Sequence, residues 1–318
     1  MRLKTSLAAL LMLIGLPALA APFAYITNQG SHDVSVIDLA TRQVVATVPV
    51  GRSPAGVVAV SRVGKVFVSN PDSKTISVID MRSQAVVDTL PAGAGPVGID
   101  ASADGQSLFV SDWYRDRLMI FNTLRGAADR VDVAVGKAPA GVAVAGDGNT
   151  VYVAERDDDS IAIVDARAAT VRSRIKVGSH PFALLLDESR ARLYALNVLG
   201  DDVSVIDLRQ RAVVATVKVG RAPYGAALAH GNTLLYVTNQ HGNTVSVIDA
   251  ETLQPLRTLE GFAYPEGIAA HGEHVYVVNW MDDCVSVLDA RSGRELDRIG
   301  TGLNSRGFGA FIGAPTGP

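Results

Sequence analysis

Short apolar runs follow one another along most of the chain, separated by Gly, Pro, Asn, Asp and Ser. One run has an aromatic second residue, and it reads AYITN at 24–28, VFVSN at 66–70, LFVSD at 108–112, VYVAE at 151–155, LYALN at 193–197, LYVTN at 235–239 and VYVVN at 275–279. A second run, VSVID at 34–38, or a variant of it such as ISVID at 76–80 or LMIFN at 118–122, follows each copy of the first. A third pattern, Val-Gly-x-x-Pro-x-Gly, joins the repeats, as at 50–56 and 219–225. The chain therefore consists of internal repeats.

Each repeat predicts four short strands. Strand A follows the proline (GVVAV, 56–60), strand B is the aromatic run, strand C is VSVID, and strand D is VVATVPV at 44–50. Their β-branched residues favour strands. The runs are apolar on both alternating faces, as in sheets packed on both sides. A four-stranded unit repeated seven times predicts a seven-bladed β-propeller.

The first and last repeats predict how the ring closes. The first blade begins at strand B, with Ala24, and lacks a strand A. Residues 307–313 (GFGAFIG) match the strand A that follows Pro265 and would supply the missing strand. The predicted fold class is therefore all-β: a seven-bladed β-propeller of four-stranded antiparallel blades, closed by the C-terminal strand pairing into the first blade. The predicted propeller spans 21–313, with a short tail at 314–318.

The N-terminus has the pattern of a secretory signal peptide. Arg2 and Lys4 precede an apolar stretch, Pro17 ends it, and small residues lead to a cleavage site after Ala20. We therefore predict a signal peptide over 1–20 and export to the periplasm. No later segment has the apolar length of a membrane span.

Composition excludes several classes of protein. The 318 residues are 48% hydrophobic and only 19% charged, too apolar for a disordered chain. The formal charge of −3 disfavours nucleic acid as a partner. A single cysteine, Cys284, cannot form an intrachain disulfide. We interpret Cys284 as a packing residue at a position that is Ser or Thr in some other repeats. We expect the protein to be a monomer.

The sequence YVTN at 236–239, beside VSVID, resembles the YVTN-repeat β-propellers, including YncE-like exported proteins. The resemblance covers 24–313 and implies the propeller fold. It leaves the function open, because similar propellers include the heavy subunit of quinoprotein amine dehydrogenases, and more distant ones are lactonases.

Function in a repeat protein is expected where the repeats differ. The D–A and B–C connections share one end of the propeller, here called the D–A/B–C face. The residue after each proline position lies at the channel mouth on this face, and it reads Ala55, Val97, Ala140, Phe182, Tyr224, Glu266 and Arg306. The residues at this position change from small and apolar in three blades to aromatic or charged in the next four. Together with nearby loop residues, the aromatic and charged ones predict a ligand-binding or partner-binding patch. Its candidate residues are Trp113, His180, Phe182, Tyr224, His241, Tyr264, Glu266, Trp280 and Arg306.

A structural interpretation of the same residues stays open, in which loop aromatics cap the blades and Glu266 and Arg306 merely pair. No residue pattern indicates a catalytic group, a metal site or a bound cofactor. The histidines lack ligand spacing, and Cys-x-x-Cys-His is absent from the sequence. Acidic segments at 157–159, 201–202 and 282–283 are interpreted as solvated B–C turns.

Three functional hypotheses follow. The first is a non-catalytic binding or scaffold protein that holds a partner protein or small ligand on the D–A/B–C face. The second is an enzyme or enzyme subunit, either the propeller partner of a quinoprotein or haem dehydrogenase in the periplasm, or a metal-dependent lactonase using Glu266. The third, single-stranded DNA binding, rests only on similarity to YncE-like proteins.

Overall fold

The computed structural model describes residues 22–315, except the side chains of 126–128, and it forms seven four-stranded antiparallel sheets. The seven-bladed β-propeller predicted from the repeats is confirmed. The predicted signal peptide, 1–20, lies outside the described residues, as do residues 316–318 of the tail.

The strands follow the repeats in chain order. They are β1 Phe23–Asn28, β2 Asp33–Asp38, β3 Gln43–Pro49, β4 Val57–Val60, β5 Lys65–Asn70, β6 Thr75–Asp80, β7 Ala85–Pro91, β8 Pro96–Ala101, β9 Ser107–Asp112, β10 Arg117–Asn122, β11 Gly126–Ala134, β12 Pro139–Val144, β13 Thr150–Glu155, β14 Ser160–Asp165, β15 Thr170–Lys176, β16 Pro181–Asp187, β17 Arg192–Asn197, β18 Asp202–Asp207, β19 Ala212–Lys218, β20 Pro223–Ala229, β21 Leu234–Asn239, β22 Thr244–Asp249, β23 Pro255–Leu259, β24 Pro265–His271, β25 His274–Asn279, β26 Cys284–Asp289, β27 Glu295–Gly300 and β28 Ile312–Gly313. Single 3-10 turns span Ser61–Val63, Arg156–Asp158 and Gln240–Gly242.

Strands B and C form the core of each blade because both of their faces are covered by neighbouring blades. The aromatic residue of strand B is fully buried in most blades, as at Tyr25, Phe109, Tyr194 and Tyr236. Strand D forms the outer edge and is largely exposed. The core is thus a ring of apolar layers between blades.

Polar residues at fixed repeat positions hold each blade together. In five blades the Asn that ends strand B donates a hydrogen bond to a serine in strand C, as from Asn239 to Ser246 (3.0 Å). The Asp that ends strand C accepts backbone N–H groups two and three residues on, as Asp207 does at 2.8 Å each. These residues therefore build the turns and the strand pairing.

Adjacent blades meet closely at the glycine of Pro-x-Gly. A Cβ on Gly98 would lie 2.0 Å from the carbonyl oxygen of Ala140 in the next blade, so only glycine fits there. The hydroxyl of Ser111 donates to the same carbonyl at 2.7 Å and accepts from the Gly98 N–H at 2.8 Å. Thr27, Ser69 and Thr238 make the same inter-blade hydrogen bonds.

The ring closes as the repeats predict. Strand β28 pairs antiparallel with β1, and the N–H groups of Val57 and Ala59 donate to carbonyls of the closing segment at 2.9 and 2.8 Å. The segment therefore bridges blades 1 and 2. Positive φ angles at Gly307 (63°) and Gly309 (123°) interrupt its strand geometry and flank Phe308.

The acidic B–C turns were interpreted as solvated, and the structure gives three of their residues a further role. The residue that directly precedes strand C in each turn has a left-handed backbone. Its side chain accepts a hydrogen bond from the D–A loop, as Asp159 does from His180 N (2.8 Å), Asp201 from Ala222 N (2.9 Å) and Asp283 from Asn304 N (2.6 Å). Asp and Asn suit this position because they tolerate that backbone and accept hydrogen bonds.

Within residues 22–315, no helix has the length and apolar character needed to cross a membrane.

Candidate binding face and channel mouth

Four of the predicted site residues meet at the centre of the D–A/B–C face. Phe182 and Tyr224 pack with their ring centroids 4.6 Å apart, and Phe308 of the closing segment lies 5.1 Å from Phe182. Glu266 and Arg306 form an ion pair beside them, with Arg306 Nε 2.7 Å from Glu266 Oε2. We call these five residues the channel plug.

The polar half of the channel plug is linked by hydrogen bonds. Glu266 is 3% exposed, and its other oxygen accepts a hydrogen bond from Gln240 Nε2 at 2.7 Å. The Arg306 guanidinium donates to the hydroxyl of Tyr224 and lies over its ring, 5.8 Å from the centroid. The buried charges thus have the partners that burial requires.

The ionisation of the plug follows from its burial. Burial raises the pKa of the Tyr224 hydroxyl well above its ordinary value, so it remains protonated. Burial alone would lower the pKa of the Arg306 guanidinium, but the adjacent Glu266 carboxylate outweighs it and holds that pKa above its ordinary value. The arginine therefore remains a cation within the cluster.

This geometry refines the expectation that these side chains lie at the channel mouth. Phe182, Tyr224 and Phe308 are buried, and they fill the mouth instead of lining it. The cause is their size: where other blades carry Ala or Val after the proline, large side chains reach the axis and pack on one another. The central face is therefore closed.

Trp113 extends the aromatic cluster outward. Its ring lies 6.0 Å from that of Phe182, and the Arg156 guanidinium lies 5.4 Å from the Trp113 centroid. It packs partly buried against the core of blades 5 and 6.

A second group of predicted residues lies together on the same face. The Tyr264 ring is 5.4 Å from Trp280 and 5.5 Å from His241, and its hydroxyl is 3.1 Å from His241 Nε2. The Trp280 indole N–H donates to Gln29 Oε1 at 3.4 Å. These side chains are partly or fully exposed, so they are available for contact.

His180 lies apart from both groups. Its imidazole is 3.8 Å from one oxygen of Asp157 and 3.8 Å from one of Asp159, and the Ser179 hydroxyl is 3.1 Å from its Nδ1. The prediction grouped His180 with the aromatic patch, whereas these contacts place its side chain beside the acidic B–C loop of blade 4.

The sequence reasoning missed two members of this cluster, Phe308 and Gln240. Phe308 occupies the repeat position of Ile99, Val142 and Leu184, where an aromatic residue is the exception. Gln240 directly follows strand B, as do both tryptophans, and that shared position was the available signal.

Metal chemistry gains no support from the side-chain geometry. Among residues 22–315, no three His, Cys, Asp or Glu side chains are grouped so that they could hold a metal ion. Both oxygens of Glu266 already accept hydrogen bonds, which makes it an anchor for Arg306. Cys284 is buried and accepts from Asn279 Nδ2 at 3.6 Å, and burial raises its pKa.

Large apolar side chains remain exposed around the closed centre. They project from B–C and D–A loops in different blades and are Tyr114 (74% exposed), Leu199 (63%), Met281 (61%) and Leu303 (57%). On the loops of the opposite face, the structure shows only Val63 and Leu124 as exposed large apolar residues among the side chains it describes.

Comparison with known proteins agrees with this fold. A family model for YNCE-like beta-propellers matches residues 58–147, and one for the cytochrome D1 heme domain matches residues 145–282. No curated protein matches significantly in sequence.

Several solved structures share the fold at low sequence identity. Kuenenia stuttgartiensis hydrazine synthase is 19% identical, with a TM-score of 0.70 over 79% of this chain and 87% of that chain. A functionally unknown protein from Desulfotomaculum acetoxidans DSM 771 is 14% identical, with a TM-score of 0.77 over 92% and 99%. The dihydro-heme d1 dehydrogenase NirN, in complex with DHE, is 15% identical, with a TM-score of 0.68 over 93% and 78%. At these identities the likeness is one of fold. The matching family model agrees with the resemblance stated above: the chain is a seven-bladed β-propeller, and its residues 58–147 are similar to YNCE-like beta-propellers.

Proposed function

We propose that this propeller is a non-catalytic binding protein that docks a partner protein on its D–A/B–C face. The observation that carries the proposal is the combination of a closed channel mouth with exposed apolar side chains around it. A face without a concave pocket suits a macromolecule better than a small ligand, because small ligands bind in concave pockets. In line with the N-terminal sequence, the proposal locates this function in the periplasm.

The chemistry of the face supports docking. Aromatic residues and methionine are enriched at protein interfaces, and rigid aromatic groups such as Tyr264 with Trp280 serve as anchors. Arg156 over Trp113 adds a cation beside an aromatic ring. Trp113 packs against Phe182 of the channel plug, with 6.0 Å between the ring centroids.

An enzyme-associated role is the second candidate, because two structural neighbours, hydrazine synthase and NirN, are named as enzymes. In this reading the propeller is the scaffold subunit of a redox enzyme. One of these neighbours, NirN, is named for a heme d1 compound. The channel plug fills the mouth, and the cavity beneath it has no His, Met or Cys among its lining residues to serve as an axial ligand.

The experiment first identifies a partner by cross-linking the purified protein in native periplasm, followed by affinity measurements with the purified partner. Replacing Tyr114 and Met281 together with alanine removes two of the most exposed apolar side chains on this face. We expect the dissociation constant to rise at least about tenfold, as for interface anchor residues.

The matched control replaces Val63 and Leu124 with alanine on the opposite face, and it should leave affinity unchanged. Equal weakening by both double variants, or by neither, would refute docking on the D–A/B–C face. Turnover of a redox substrate by the isolated chain would instead favour an enzyme.

A further inference from the structure

A central cavity of about 580 Å³ lies beneath the channel plug. Phe308 closes its upper end, and it extends along the innermost strands towards the A–B turns, where Glu188, Ser189 and Asn232 contribute to its wall. Its volume is in the range of pockets that enclose small molecules. This cavity is separate from the docking face proposed above.

The wall of the cavity combines apolar surface with negative charge. Side chains such as Val142, Leu184 and Leu228 face it and are only partly buried, although they belong to innermost strands. The ionisable residues in the lining are Asp100, Asp187 and Glu188, with no Lys, Arg or His. A ligand complementary to this wall is apolar and positively charged.

Of the three acids, Asp100 is the one without a fixed role in a turn. Asp187 is an ion-pair partner of Arg190 (2.9 Å), and Glu188 accepts the Gly146 N–H of the neighbouring A–B turn at 2.5 Å. No cation among the described residues lies within ion-pair distance of Asp100. Its carboxylate therefore lines an apolar cavity without a counterion.

Asp100 also breaks the repeat. It pairs with the aromatic residue of strand B, and the residues that hold this position in blades 2 and 4–7 are apolar: Val58, Ala143, Leu185, Ala227 and Ala269. An acid in place of an apolar residue is costly where burial is substantial. Burial raises the pKa of Asp100 to about 6, which records that cost.

The carboxylate of Asp100 is held in place but not saturated. One oxygen accepts the N–H of Val144 in blade 4 at 2.8 Å, and the other accepts the N–H of Ala101 at 2.8 Å. A carboxylate has about four acceptor positions, so half of them remain for a ligand. These two bonds orient the group at the wall of the cavity.

We propose that the central cavity binds a small organic cation, an ammonium group carried on an apolar body, with Asp100 accepting the ammonium N–H. The apolar body contacts the aliphatic strand-A side chains, and the cation supplies the counterion that Asp100 lacks. This site opens on the face opposite the proposed docking surface, so each proposal can be tested independently of the other.

Calorimetric titration with three probes tests the site. Phenethylammonium, phenethyl alcohol and phenylacetate share an aromatic body and differ in charge. We expect phenethylammonium to bind at least about tenfold more tightly than the alcohol, and phenylacetate not to bind, because a charged hydrogen bond is strong in a low-dielectric site. Asp100→Asn should remove the preference for the ammonium probe.

Two further variants keep the test decisive. Asp88→Asn changes an exposed acid on strand D and should leave all affinities unchanged. Ala226→Trp fills the cavity while retaining Asp100 and should abolish binding of both phenethyl probes. Equal affinity for the ammonium and the alcohol, no binding of either, or unchanged binding to the Ala226→Trp variant would overturn the proposal.

Discussion

At the scale of single residues, the centre of the D–A/B–C face depends on one charge pair inside an aromatic cluster. Glu266 is almost fully buried, and Arg306 is largely so. A buried ion pair adds little stability compared with an apolar replacement, but removing one partner leaves the other uncompensated. The pair is therefore best examined by changing each side separately and then both together.

Glu266→Gln keeps the shape of the side chain and removes its charge. We expect the free energy of unfolding to fall by about 3 kcal/mol, because Arg306 loses its counterion and an amide N–H2 then faces a donor. Urea unfolding of Glu266→Gln, Arg306→Met and the double variant measures the coupling. The double variant should lose less stability than the two single losses combined, and strict additivity would contradict a direct interaction.

Asp100 gives the stability of the protein an unusual dependence on pH. Its pKa is about 6 in the fold against 3.8 ordinarily, so the folded state prefers the protonated acid. The stability it contributes is thus present at low pH and is lost as pH rises towards and through 6. Between pH 4 and pH 8 we expect the wild type to lose about 2.4 kcal/mol relative to Asp100→Asn.

The measurement is urea unfolding of both proteins at several pH values. The informative quantity is the difference between them, since other groups titrate equally in each. Parallel stability curves would show that Asp100 is solvated in the folded protein.

At the scale of the strand, a Ser or Thr hydroxyl near the end of strand B forms a hydrogen bond that joins adjacent blades. Thr238→Val retains shape and strand preference but removes the donor to the Glu266 carbonyl (2.8 Å) and the acceptor for the Gly225 N–H (2.8 Å). Both backbone groups are buried. We expect a loss of about 2 kcal/mol in the free energy of unfolding.

Thr216→Val is the matched control, since Thr216 is exposed on an outer strand. It should change stability by less than about 0.5 kcal/mol. A similar loss in both variants would attribute the effect to the Thr-to-Val change itself and not to the inter-blade bond.

The strands and their turns could be predicted because the same residue types recur at the same positions of each repeat. The Asp at the end of strand C and the glycine after the proline follow turn chemistry and close packing, which sequence shows directly. Packing across the axis could not be predicted in this way. That Phe182 and Tyr224 reach Phe308 depends on side-chain size and on the positive φ angles of Gly307 and Gly309, which the corresponding residues of the other blades do not have.

At the scale of the whole molecule, ring closure connects the two ends of the sequence and also seals the channel. The closing segment fills the position of strand A in blade 1, and its Phe308 completes the channel plug. One short segment thus covers two exposed strand edges and separates the central cavity from the D–A/B–C face.

Ending the chain after Arg306 removes this segment. The edges of β1 and β4 lose their hydrogen bonds to the Phe311 and Phe308 carbonyls, and two buried phenylalanines are lost. Because each such aromatic side chain contributes about 3–5 kcal/mol, we expect a loss of at least about 5 kcal/mol and concentration-dependent association through the open edges.

Thermal unfolding and light scattering compare this truncated chain with one that ends after Gly313, which retains the closing strand and should behave as the full chain does. Adding a peptide of residues 307–318 to the shorter chain should restore both its melting temperature and its monomeric state, since the edges of the first and second blades then regain their partner. Wild-type stability of the chain ending at Arg306 would mean that the ring does not depend on this closure.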